Sequence, residues 1–434
     1  MPAFDDPVWR NMSQMGVAER TGFRAIVSTA SDQIAVAPGY LQREWEQDGR
    51  RHFEYHMDAP IWPFASFSSA RYAVARDSWN EVNIEVYHDP AHAYNVSSMI
   101  EGTKKSLDYF TTEFSAYQYR QFRILEFPRY ASFAQSFPNT IPFSEAIGFL
   151  ADLREEDDID YVFYVTAHEL AHQWWAHQVI GAQVQGMTVL VETLAQYSAL
   201  MVMEREYGPQ KMRRFLKYEL DNYLSSRGGE LIEELPLKLV ENQGYVHYRK
   251  GSVVMYALKD LIGEDKVNLA LRRLLDRFAF KGAPFPRSSD LIDELRAVAA
   301  PEHQAYITDL FEKITLYDMK VTQAQARKEG DEYLVTVTVS AGKKYSDGAG
   351  AETDSPMDNL VDIAVFPQAS PDLADELLPE PLIFETRRIT DGEQTFDFRV
   401  SELPVQVGID PYLKMIDRNP DDNLKSVEVS EAGL

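Results

Sequence analysis

The chain has no cysteine among its 434 residues. Disulfide bonds and thiolate metal ligands are both excluded, so any metal must be held by His, Asp or Glu. The redox compartment is left open. Basic residues are in short supply: 43 Lys and Arg stand against 68 Asp and Glu, a formal charge of −25. So anionic a chain repels phosphate backbones, which argues against nucleic acid as a partner. Long apolar runs are missing too. No stretch approaches the ~18 residues of a membrane span, and Met1 to Asn11 carry Asp5 and Asp6 where a secretory signal would be apolar. Internal repeats of solenoid period are absent. As given, the chain reads as a soluble module with no membrane span of its own.

What is present is ordinary for a folded protein, with 45% hydrophobic residues. The length exceeds what one core usually supports, so two or three domains are expected. From Phe23 to Tyr87 short runs such as Phe23-Arg24-Ala25-Ile26-Val27, Phe53-Glu54-Tyr55 and Val82 to Tyr87 are separated by Pro, Gly and Asp, the signature of strands. The period then changes. Met99, Ile100, Leu107, Phe110 and Phe114 recur at helical spacing after Ser97 and Ser98, which can cap a helix. Phe122 to Phe127 reads as a strand, and the chain beyond Ser144 as mostly helical. A helix around Leu190 to Tyr207 is predicted to stop at Gly208-Pro209. Further helices are predicted near 252–261, 266–278 and 289–299. At Tyr333 the period falls to two, with Tyr333, Val335, Val337 and Val339 on one face. The segment from Lys344 to Asp358, rich in Gly, Ser, Asp and Pro, reads as a mobile connection. The expected architecture is α+β and multidomain: an N-terminal β domain over 1–90, an α-rich domain over 91–318, and a C-terminal β-sandwich-like domain with its tail over 319–434.

One segment carries chemistry. His168-Glu169-Leu170-Ala171-His172 is an H-E-x-x-H pattern, and on a helix its two imidazoles are about 6 Å apart in rise and nearly eclipsed in angle. Both can reach one ion. The bland alternative is two packed histidines that happen to be four apart. Between Gln173 and Met203 the only carboxylate is Glu192, set within Thr188-Val189-Leu190-Val191-Glu192-Thr193-Leu194, where an unpaired charge is costly. A Glu there needs a cation. Two His and one Glu leave the fourth tetrahedral position to water, the open geometry of a catalytic zinc site. Glu169 lies about 100° around the helix from His168, so it can face that water as general base without ligating the metal. His177, nine positions after His168, points away if the helix continues. His247 reads as an ordinary polar neighbour of Tyr248.

The segment His168 to Trp175, followed by Glu192, resembles the gluzincin zinc metallopeptidases of the aminopeptidase N and leukotriene hydrolase family. That family shows H-E-x-x-H, then 18 residues, then Glu. Here 19 residues intervene, which reads as an insertion in the connecting loop, with Val191 to Ala195 in place of the family's N-E-G-F-A. Tyr248-Arg249-Lys250-Gly251 is similar to the family's Y-x-K-G, which implies that Tyr248 donates to the developing oxyanion. Pro142 to Gly148 is matched to the family's G-A-M-E-N strand, and the resemblance then implies that Glu145 binds a substrate's free α-amine. Glu145 reads equally as an acidic residue in the first turn of a following helix.

The resemblance covers roughly Phe23 to Phe311 and implies a thermolysin-like catalytic domain with one zinc per chain and a peptide substrate. The first β domain is short beside the family's, so either the second amine-binding residue that the family draws from it is absent, or the chain is a fragment. Ser28 to Ala35 and Gly181 to Gly186 resemble the peptidase portion of bacterial proteins in which such a module follows an ABC-type permease, with the membrane spans upstream. An aminopeptidase is the expected activity. A zinc endopeptidase, an epoxide-hydrolysing variant and a peptide-sensing module of a transporter are the alternatives. Intact Glu169 and Tyr248 favour an enzyme, since a binding module needs neither a base nor an oxyanion donor.

Overall fold

The computed structural model describes residues 1–154, 159–371, 373 and 377–430. Residues 431–434 of the expected C-terminal tail lie outside the described residues. Two compact units are present: Met1–Met203 with Asn268–Ala297, and Glu204–Val267 with Val298–Leu434. Along the chain, an N-terminal β region gives way to a helical middle and then to C-terminal sheets. Among the described residues no helix is long and apolar enough to cross a membrane.

The first unit begins with β1 (Arg24–Ala30), β2 (Ile34–Val36), β3 (Tyr40–Gln47), β4 (Arg50–His56) and β5 (Ser68–Ala70). β4 pairs antiparallel with β1 and β3, and β2 pairs with β5. The β3–β4 reversal runs through Asp48 and Gly49 at φ of 52° and 73°, the left-handed backbone of a two-residue hairpin. β6 (Ala73–Trp79) and β7 (Val82–His88) form a second hairpin. After α1 (Val96–Glu113), β8 (Gln121–Phe127) and β9 (Thr140–Ser144) add in parallel, giving the order β6-β7-β8-β9. This sheet takes strands from both sides of residue 90. β8 is buried from Phe122 to Phe127, as parallel strands covered on both faces are.

Neither serine caps α1. Asn95 holds the cap position without a capping side-chain bond and instead donates Nδ2 to the carbonyls of Gly148 and Ala151 at 2.7 and 2.8 Å. Ser98 donates to Asp160 at 3.1 Å. Asp160 in turn caps α2 (Tyr161–Ala171), accepting from the Phe163 amide at 2.8 Å. Every residue of α2 from Val162 to Ala171 is buried, which the unbroken apolar run around His168 and Glu169 dictates.

A π-turn, Val189–Thr193, leads into α3 (Leu194–Tyr207). The helix stops at Tyr207, as Gly208-Pro209 predicts; Gly208, at φ 84° and ψ 158°, is extended with a positive φ, and Pro209 opens α4 (Pro209–Gly228) at its first position. A second π-turn, Tyr245–Lys250, precedes α5 (Gly251–Ile262), and α6 (Glu264–Phe278), α7 (Ser288–Val298) and α8 (Gln304–Phe311) follow.

In the second unit β10 (Ile314–Glu329) and β11 (Glu332–Ser346) form a long antiparallel hairpin. β12 (Glu352–Ser355), β13 (Asp358–Phe366), β14 (Ile383–Thr390), β15 (Gly392–Val400), β16 (Gln406–Ile409), β17 (Leu424–Ser426) and β18 (Glu428–Ser430) complete two sheets. One has the order β12-β11-β10-β18 with β15 also on β11; the other is β14-β13-β16-β17. Val335, Val337 and Val339 of the first sheet share a core with Val361 and Ile363 of the second, the alternation expected of a sandwich. The Gly-rich stretch after Lys344 is mostly strand. β11 runs on to Ser346 and β12 pairs back on it from Ser346↔Glu352 to Lys343↔Ser355, which leaves 347–351 and 356–357 outside the strands.

Candidate metal centre

The last turn of α2 places His168 and His172 on one face, with their Nε2 atoms 3.1 Å apart. Oε2 of Glu192 lies 3.5 Å from the first and 3.4 Å from the second. Ligands about 2.1 Å from a tetrahedral zinc are about 3.4 Å apart. The triangle therefore has the size that one such ion requires, and two imidazole nitrogens with a carboxylate are a suitable donor set. Nδ1 of His172 donates to the Trp175 carbonyl at 3.1 Å. That bond fixes the tautomer and directs the Nε2 lone pair into the triangle.

The electrostatics run the same way. Burial would raise the Glu192 carboxyl, but the two imidazoles overrule it and hold it well below the usual carboxylate range. Burial works to lower His172, and Glu192 reverses that, lifting it to about 9. The attraction that holds a proton there is equally available to a cation that displaces it. Glu192 sits on the π-turn Val189–Thr193. A π-turn closes its hydrogen bonds over one residue more than an α-turn, and one residue is the departure from the family's spacing.

Glu169 is 6% exposed and lies within 4.8 Å of the ligand atoms of both histidines. Burial pushes its carboxyl up, against the pull of the imidazoles and of a hydrogen bond from the Ser136 amide. Its Oε2 has no hydrogen-bond partner among the described residues, as suits a group whose partner is a reacting water.

Ser136 was not read from the sequence as part of the site. Residues 133–137 pair antiparallel with β9 through bonds such as Ser144 N to Phe133 O at 3.0 Å and Phe137 N to Thr140 O at 2.9 Å. Asn139, at φ 49°, makes the reversal, and Pro138-Asn139 between two apolar runs was the available signal. Gln173, fully buried, fastens this hairpin to the metal helix: Nε2 donates to Ser136 Oγ at 2.6 Å and to the Phe137 carbonyl at 3.0 Å, while Oε1 accepts from the Asn139 amide at 3.0 Å. His177 is used here as well. The helix ends at Ala171, and the buried His177 donates Nε2 to the Ser136 carbonyl at 3.2 Å. Burial depresses its pKa to about 3, so it is neutral.

Glu145 is not among the residues grouped with His168 and His172. It begins no helix, and it forms a separate cluster with His92 and Glu126 whose ligand atoms fall within 4.8 Å of one another. Its Oε1 accepts from the Arg129 amide at 3.1 Å and lies 3.5 Å from the Arg129 guanidinium. Glu126 is 5% exposed and accepts from His92 at 2.5 Å. Tyr248 belongs to the second unit. It is half-buried on the π-turn Tyr245–Lys250, with its ring 4.5 Å from that of His247 and its carbonyl accepting from Ser252 at 2.8 Å.

Two histidines one helical turn apart, a carboxylate from the next helix and a buried glutamate beside them form a cluster that could hold a metal ion, with the donor set of the gluzincin class. Residues 98–313 match the Peptidase family M1 domain. The chain carries a domain of that family, the one that contains aminopeptidase N. It is 22% identical over 291 residues to endoplasmic reticulum aminopeptidase 2 of Homo sapiens, an alignment covering 65% of this chain and 29% of that protein. Probable aminopeptidase 1 of Sulfurisphaera tokodaii is 25% identical over 294 residues, covering 65% and 36% respectively. The structure of Legionella pneumophila aminopeptidase A in complex with aspartic acid shares the fold, with a TM-score of 0.59 at 15% identity over 95% of this chain and 45% of that one. The alignments thus span less than half the length of these relatives.

Proposed function

We propose that the chain is a zinc-dependent peptidase that removes N-terminal residues from peptides. The observation that carries this reading is the triangle of His168, His172 and Glu192 with edges of 3.1 to 3.5 Å, beside a buried glutamate with an unused oxygen. The three residues would hold one zinc ion, which when bound supplies a Lewis acid that polarises the scissile carbonyl and acidifies water. Glu169 takes the proton of the attacking water and passes it to the departing amine nitrogen, as the new C–O bond forms and the C–N bond breaks. Tyr248 donates its hydroxyl hydrogen to the carbonyl oxygen as that oxygen gains charge. Glu145 receives the substrate's ammonium group, with the neighbouring Glu126 adding negative charge. Under this reading residues 91–318 supply the catalytic part, preceded by the β segment 1–90 and followed by 319–434.

A second reading, an endopeptidase, is favoured by one observation. The strand that touches Glu169 contributes Ser136 and its neighbours Gln135 and Phe137, none of them a carboxylate, while Glu145 is engaged with Arg129.

Hydrolysis of matched free-amine and N-acetylated peptides by zinc-loaded protein tests both. Preference for the free amine supports the first reading, and equal cleavage supports the second. Peptide binding with no cleavage of either would reject a peptidase and leave a sensing module.

A further inference from the structure

The chain's guanidinium groups mostly find carboxylates, as Arg24 and Arg43 do on Glu54 at 2.6 Å. Arg20 is an exception. Its Nη2 donates to the carbonyls of His177 and Gln178 at 2.9 and 3.0 Å, and its guanidinium carbon lies 4.2 Å from the Trp62 ring centroid and 5.5 Å from that of Phe280. No carboxylate among the described residues forms an ion pair with it. Aromatic faces and two neutral carbonyls do not neutralise a desolvated charge. Burial lowers its pKa only to about 10, so the charge persists at neutral pH.

Arg20 lines a cavity of about 440 Å³ together with Glu19, Trp62, Tyr119, Phe280 and Lys281. His168, His172, Glu169 and Glu192 do not line it. In a chain of net charge −25, this cavity carries two cations against one acid. Trp62, Tyr119 and Phe280 contribute aromatic surface to its walls, beside Ala59, Pro60 and Ile61.

We propose that this cavity is a binding site for a small monocarboxylate with an apolar or aromatic body, held by Arg20. The Nε and Nη1 hydrogens of Arg20 are the donors left for the carboxylate, and a charge-assisted bond between guanidinium and carboxylate is among the strongest available. Trp62, Phe280 and Tyr119 provide the surface for an apolar body. One fully charged acceptor matches one uncompensated guanidinium, and Glu19 disfavours a dianion. The volume admits a ligand of about the size of an amino acid or a dipeptide. Because Arg20 also holds the carbonyls of His177 and Gln178, a bound ligand stiffens the chain that leaves the metal helix just after His172.

Calorimetric titration of the full chain with 3-phenylpropionate, with its amide, and with inorganic phosphate tests the site. Saturable binding of the acid is expected, weakened by about tenfold or more for the amide and for the protein carrying Arg20→Gln. Binding should survive in His168→Ala, which removes a metal ligand, and so a carboxylate on the metal is distinguished from one on Arg20. A phenylalanine at position 282 provides a second variant that leaves Arg20 in place: Gly282 lines the cavity, and a Cβ there meets no atom within 4 Å. Gly282→Phe should fill the cavity mouth and block the acid, which keeps the test decisive if Arg20→Gln does not fold. Unchanged affinity in the variants at positions 20 and 282, loss only in His168→Ala, or binding of phosphate in place of the acid would each overturn the assignment.

Discussion

The side-chain amide nitrogen of Gln173 lies 2.6 Å from Oγ of Ser136. Through that bond, and two more to the same hairpin, the residue after His172 holds the strand whose amide reaches Glu169. The strand beside Glu169 is therefore held by the side chain of Gln173.

Gln173→Leu keeps the volume and removes all three bonds. It leaves the buried Asn139 amide without its partner, while the Phe137 carbonyl keeps the Thr140 amide at 3.1 Å, and should cost about 1–3 kcal/mol of stability. In the fraction that remains folded, kcat should fall while metal content is unchanged. Urea denaturation alongside metal analysis checks both; an unaffected melting profile would show the hairpin to be held by other means.

Glu192→Ala should lose the bound zinc, because removing one of three protein ligands sharply weakens an open site. Glu169→Gln should keep the metal and lose activity by about 10²–10⁴-fold, since an amide cannot accept the water's proton. Elemental analysis after dialysis separates the two roles. A full complement of zinc in Glu192→Ala would remove that residue from the ligand set.

For Tyr248→Phe, kcat and kcat/KM should fall together by about 10²–10³-fold with substrate binding nearly intact, as for a contact made mainly in the transition state. Steady-state kinetics decide it. A change confined to KM would make Tyr248 a substrate-binding residue.

Glu145→Ala should erase most of the difference in rate between free-amine and N-acetylated peptides, because a charged contact to the ammonium is lost only by the free form. Zinc content should not change. If the parent protein already cleaves both forms equally, Glu145 belongs to the structure around Arg129, and the strand through Ser136 takes over as the determinant of substrate choice.

A pH dependence of stability follows from Glu219, which is fully buried against Arg249 at 3.0 Å. Burial lifts its carboxyl from 4.5 to about 7, against the pull of Arg249. The folded chain then binds this proton more tightly than the unfolded chain. The resulting stability is fully present below about 4.5 and is lost as pH rises through about 7. Glu219→Gln should flatten that decline by on the order of 1–3 kcal/mol, seen as the difference between variant and parent in denaturation across pH 4.5 to 8. Parallel curves would show that Arg249 keeps the carboxylate ionised throughout.

Much of the architecture is written in local pattern. The period of two in β11, the apolar run of α2 and the four-residue spacing of His168 and His172 each arise from the geometry of a single element, and chain order alone reveals them. Glu192 was legible for a different reason: it is the only carboxylate in an apolar stretch, where its charge demands a partner. Ser97 and Ser98 misled because serine caps helices only when its backbone holds the cap position, and that position went to Asn95 through its bonds to Gly148 and Ala151.

By itself, then, the sequence determined which helix presents two imidazoles and a glutamate and that Glu192 needs a charged partner, since covalent helix geometry and the cost of a buried charge depend on neighbours along the chain. Tertiary structure alone decided what surrounds them. It brought Ser136 to Glu169, put Glu145 beside His92, Glu126 and Arg129, left Arg20 against Trp62 and Phe280 with no ion pair among the described residues, and set Glu192 and Tyr248 on π-turns. These arrangements join residues as far apart as 158 positions, in the contact of Arg20 with Gln178. They follow from how elements pack once folded, which no local period encodes.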